Sequence, residues 1–235
     1  MMKKLLVVSV AICLLFFSVS VFAASGLSTV EKSVEETERF LNNITLTVVK
    51  NEPDKKSIQG FDVNEDGLVA VASTEMSKGQ VSIYNSDGTF LYGYIFSCNQ
   101  SIEVEWQKNG LSLYFIKSDV AATFDENGNA VEVRTIENTI ENNSYLKNVV
   151  QTTKKEVNGR QYIVTSDGLL AILSPNYTKL IVKDSDGSER VIYDASTRQI
   201  IKIICFAVLF IVVLTVTIIR IVSIKRKNAQ QNPVH

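Results

Sequence analysis

The sequence predicts a mainly β protein: three four-stranded units, each a pair of hairpins, set between an N-terminal helix and a C-terminal transmembrane helix. Three observations carry this prediction. From residue 57 onward, short alternating apolar runs are cut by Asp-Gly and Asn-Gly turns, the strongest local hairpin signal. The turns recur in pairs. Near its C-terminus the chain carries an apolar run, residues 203–219, followed by a basic tail.

Residues 1–23 read as a secretory signal. Lys3 and Lys4 form a basic start, an apolar run follows, and Val21 and Ala23 take the −3 and −1 positions of a small-residue cleavage site. The run is also long enough to span a bilayer, so an uncleaved signal anchor is the alternative. Residues 26–45 are expected to form an amphipathic helix packed on the domain. Ser28 and Glu31 match a capping box, and Leu27, Val30, Val34, Leu41 and Ile44 make an apolar stripe.

Residues 57–195 form the β-rich repeat domain. The first hairpin of each unit is expected to turn at Gly67, Gly110 and Gly168, and the second at Gly88, Gly128 and Gly187. Gly67 and Gly110 stand 43 residues apart, Gly110 and Gly168 58, the excess being a polar insertion around Glu137 to Glu156. Residues 200–224 are the transmembrane helix, bounded by Lys202 and Arg220, which can both snorkel to headgroups. Lys225, Arg226 and Lys227 open a tail, 225–235, that the positive-inside rule places in the cytoplasm. The β domain is then outside, in a single-pass cell-membrane protein.

A four-stranded unit recurring every 40 to 45 residues is the signature of a propeller blade. On its "SDG" and "ENG" turns the domain resembles β-propeller blades. It is also similar to the propeller-like repeat domain of uncharacterised signal-plus-single-span membrane proteins of Gram-positive bacteria. The resemblance implies architecture and no mechanism. Closed propellers have at least four blades and three are visible here, which leaves a degenerate fourth blade, completion by a partner chain, or an open stack.

Composition excludes several functions. All 25 acidic residues lie in the middle region with only 17 of the 24 basic ones, a net charge of −8 there, which repels nucleic acid. The sole histidine, His235, falls on the tail, so no Ser-His-Asp, Cys-His or histidine-zinc site can form outside. Cys98 is alone in the middle region, which rules out a disulfide within the domain and leaves pairing between chains. Asp62, Asn64 and Asp66 match the opening of a calcium loop, but Ser73 stands where the bidentate acid belongs, so a hairpin with Asx bonds is the competing reading. Tyr92, Tyr94 and Phe96 share one strand face, near Trp106; they read as core or as a binding surface. No cofactor is implied. The expected function is a membrane-anchored interaction module, a cell-surface sensor or accessory subunit whose partners are the bilayer, a protein, peptide or glycan, or a second copy. The alternative is an envelope hydrolase using paired carboxylates.

Overall fold

The computed structural model describes residues 26–166, 168, 170–173 and 176–231. The expected signal segment 1–23 and His235 lie outside the described residues.

The repeating device of the fold is one turn used four times. In it an Asx residue opens the turn, a Gly with positive φ closes it, and the Gly N–H donates to the Asx carbonyl: Gly67 to Asn64, Gly88 to Asn85, Gly128 to Asp125 and Gly187 to Asp184. At three of them the Asx side chain also accepts backbone N–H groups, as Asp125 does from Asn127 (2.9 Å) and Asn129 (2.8 Å). Only Gly tolerates φ near +80° without a Cβ penalty. At Gly128 an added Cβ would also press on Val48 and Leu46, whereas at Gly187 it would meet open space. Gly128→Ala is therefore expected to cost about 2 kcal/mol and Gly187→Ala about 1 kcal/mol. Thermal unfolding of the detergent-solubilised protein checks the order; equal losses would contradict it.

The described residues form fourteen strands in three antiparallel sheets. The first sheet holds β3 (Gly60–Val63), β4 (Val69–Glu75), β5 (Lys78–Tyr84) and β6 (Phe90–Ser97) in sequence order. The second holds β7 (Ile102–Gln107), β8 (Gly110–Phe115), β9 (Val120–Phe124) and β10 (Ala130–Ile136). The third holds β11 (Lys154–Val157), β12 (Arg160–Thr165), β13 (Lys179–Lys183) and β14 (Glu189–Asp194). Two sheets gain a fifth strand from upstream: β1 (Thr29–Glu31) pairs with β10, and β2 (Thr47–Val49) pairs with β6.

The sheets stack with the first in the middle. Ala70, Ala72, Val81, Ile83, Tyr94 and Phe96 on one of its faces pack against Ile102, Val104, Leu111, Leu113 and Phe124 of the second sheet. Phe61, Val69, Val71 and Tyr84 on its other face pack against Tyr162, Leu180, Val182, Ile192 and Tyr193 of the third. A strand buried on both faces has no polar face to alternate with, which is why β4 begins with the run Val-Ala-Val-Ala-Ser. Among the described residues no buried cluster joins the second sheet to the third, so the stack is open and no closed propeller forms.

Two expectations are corrected. The helix expected over 26–45 is confined to α1 (Val34–Ile44), because residues 29–31 pair as β1, and the capping box is Ser33 with Glu36 rather than Ser28 with Glu31. Phe40, Leu41 and Ile44 seat α1 on the cluster between the first two sheets. In the third unit no hairpin turns at Gly168. The hairpin turns at Asn158-Gly159, and Leu170–Leu173 is a short helix, α3, in the long connection from β12 to β13. The polar insertion folds as α2 (Ile140–Tyr145), a π-helical turn (Leu146–Val150) and β11.

β14 passes through one residue, Ala195, into α4 (Ser196–Gln231). Ala195 N–H donates to Thr178 O (2.8 Å) and Ser196 N–H to Asp194 Oδ1 (2.8 Å). Arg198 pairs with Asp54 at 2.5 Å and Glu75 at 3.8 Å, and Lys202 pairs with Glu75. The stretch Ser196–Ile224, which holds an 18-residue window of mean hydropathy 2.9, is long and apolar enough to cross a membrane. Its two internal threonines, Thr215 and Thr217, satisfy their hydroxyls on Ile211 and Val213 carbonyls at 2.8 Å, as a lipid environment requires.

Candidate functional site: the outward face of the second sheet

Alternation along the second sheet sends Leu111, Leu113, Val120, Ala122 and Phe124 into the core. The intervening residues Glu103, Glu105, Ser112, Tyr114, Ala121, Thr123 and Arg134 therefore face outward. This face divides in two.

One half is covered. The insertion lays Tyr145, Leu146 and Val150 over Tyr114, Ile136 and Ala121. Asn142 anchors it: its side chain donates to the Ser28 and Glu137 carbonyls (2.7 Å each) and accepts from Ser28 N–H (2.8 Å). Beneath this cover Tyr114 and Tyr145 both donate to Glu105, so burial and the adjacent carboxylate raise both phenol pKa values.

Where β3 meets β7, three ionisable side chains, Asp62, Lys155 and Glu103, lie close together. Asp62 accepts from Lys155 Nζ (2.7 Å) and from Trp106 N–H (2.5 Å). Glu103, only 7% exposed, bonds Gln151 through its side chain, while its Oε2 has no hydrogen-bond partner. Burial pushes its pKa up to about 8 against the partial opposition of Lys155. Glu103 can sit there because residue 60 is Gly; a Cβ at that position would collide with Oε2.

Among the described residues the other half is open and forms a groove of about 370 Å³. Ser112, Ala121 and Thr123 make its floor, with the Ser112 and Thr123 hydroxyls bonded at 2.7 Å. The turn Gln107 to Asn109 makes one rim, and Thr29, Val131, Glu132 and Arg134 line the rest. Arg134 is already engaged by Glu132 (2.5 Å), Glu31 (3.6 Å) and Thr29 Oγ1 (3.4 Å), while Lys108 stands exposed on the rim. Small residues on central strands let an extended polar segment approach the sheet closely, whereas a larger floor would hold it away.

The candidates read from the sequence do not line the groove. Tyr94 and Phe96 are buried in the core and Tyr92 and Trp106 pack against it, so the aromatic face is a core face and offers no open binding surface. Asp62 is committed to Lys155, and Asn64 accepts Leu68 N–H at 2.7 Å, so residues 62–67 form a hairpin with Asx bonds and no calcium loop is assembled. Among the described residues no group of three His, Cys, Asp or Glu side chains could hold a metal. Cys98 is buried and donates to Gln100 O, which leaves it poorly placed to pair between chains. Ser112 and Thr123 carry the only local hint of the groove: small hydroxyl residues at outward positions in aliphatic strands. No family model matches the chain, and no curated protein or solved structure proved similar to it.

Proposed function

We propose that the protein is a membrane-anchored interaction module. The β domain stands outside the cytoplasm on α4 and binds a peptide or glycan segment of a partner in the groove of the second sheet. The observation that carries this reading is the groove itself: an open sheet face with a small, hydroxyl-rich floor, left uncovered where the rest of that face is roofed by the insertion. The basic cluster Lys225, Arg226 and Lys227 suits the cytoplasmic side of the membrane. The hydrolase reading needs two carboxylates converging on an open cleft. The acids that share a cation here are already ion-paired, Glu31 and Glu132 through Arg134 and Asp54 and Glu75 through Arg198, while Asp62 and Glu103 are each 7% exposed, which favours structural roles for them.

The test is site-specific photocrosslinking in intact cells from Lys108, on the groove rim. A discrete crosslinked partner is expected, and it should be lost when the half-exposed lining residue Val131 is changed to Arg. Persistence of the same product in Val131→Arg would remove the groove from the binding surface.

A further inference from the structure

The turn between β4 and β5, Glu75-Met76-Ser77-Lys78, lies at the end of the domain from which α4 departs. Met76 and Ser77 both adopt left-handed φ (49° and 64°), and Met76 stands 92% exposed. A single exposed methionine needs no explanation. Its position against the apolar helix gives it meaning. Glu75 is ion-paired to Lys202 and Arg198, and Lys202 immediately precedes the run 203–219.

That run spans about 25 Å at 1.5 Å per residue, slightly less than a hydrocarbon core of about 30 Å. Lys202 thus sits at the hydrocarbon edge with its ammonium in the headgroup layer, a layer about 5–7 Å deep. Glu75, held by that ammonium, lies in the same layer, and Met76 is the next residue along the chain. Lys78 is exposed beside it, and Lys56 lies at the same end. Arg198 and Lys202 are taken up by Asp54 and Glu75, which leaves the exposed Lys78 as the cation of this turn suited to a phosphate.

We propose that the β4–β5 turn is a second membrane contact: Met76 enters the boundary between headgroups and acyl chains beside α4, with Lys78 on a phospholipid phosphate. The proposal rests on α4 being a membrane span. Two points of attachment would fix the rotation of the domain about α4.

The test uses the full chain in liposomes of phosphatidylcholine and phosphatidylglycerol. Trp106→Phe removes the sole tryptophan, and Met76→Trp, at a surface position, supplies a reporter. The expected result is blue-shifted emission, and its loss when the acyl chains are brominated near their carbonyl end. Phe206→Trp in the same background reports on the span. A water-like, unquenched signal from position 76 beside a quenched one from 206 overturns the turn contact alone. An unquenched signal from both overturns the membrane span and the proposal with it.

Discussion

Asp62→Ala is expected to destabilise the domain by about 3–5 kcal/mol, the usual cost of stripping one partner from a buried ion pair. The Lys155 side chain is only 14% exposed and would keep its charge without its carboxylate, while the Trp106 N–H would lose its acceptor. In thermal unfolding this corresponds to a fall of about 10 °C or more for a domain of this size. The double change Asp62→Ala/Lys155→Met removes both charges and should recover most of the loss, because a buried pair is often replaceable by apolar packing at little net cost. A loss below about 1 kcal/mol in the single variant would mean that water reaches the pair and screens it.

Glu103→Gln is expected to stabilise the protein at alkaline pH and to flatten its pH dependence. Folding raises the Glu103 pKa to about 8 from an ordinary value of 4.5, so the folded state holds a proton that the unfolded state releases. Stability from this group is full below pH 4.5, declines as pH rises, and is lost above about pH 8. The amide keeps the shape without the ionisation and should gain on the order of 2–4 kcal/mol over the wild type at pH 8.5. Glu36, Asp87, Asp125 and Asp186 act in the opposite sense: their pKa values are lowered by hydrogen bonds to Ser33, Thr89, Asn129 and Ser188, so their contributions disappear as pH falls through the folded values. Melting temperatures measured from pH 4 to 9 should therefore peak on the acidic side for the wild type. A variant curve parallel to the wild type would show that Glu103 does not ionise in this range.

The hairpins were legible because an Asx-x-x-Gly turn is a local instruction: Asn64 to Gly67, Asn85 to Gly88, Asp125 to Gly128 and Asp184 to Gly187 all fold as their residues dictate. Gly168 misled because "SDG" occurs there in the same form, while Asn158-Gly159, 49 residues after Gly110, makes the actual hairpin. The three-residue strands β1 and β2 carry no pattern of their own; β1 is specified by β10, over a hundred residues downstream. Glu103 and Glu105 alternate with Ile102, Val104 and Trp106 just as solvent-facing residues would. The insertion folding back over them, with β3 packed beside Glu103, turns that face into an interior, and nothing local to β7 announces it. The groove was illegible for the same reason, since it is simply the part of that face which the insertion does not reach.

The strands β1 and β2 also set an order of events. Each is made before the sheet it completes, since ribosomal synthesis delivers the N-terminal part first. β2 must wait for β6, and β1 must wait for β10, which emerges about a hundred residues later. Until then α1 and its flanks have no surface to settle on, and the outer edges of β6 and β10 stay bare once they form. The closing steps of assembly thus belong to the oldest segment of the nascent chain, and a delay there exposes two sticky edges at once.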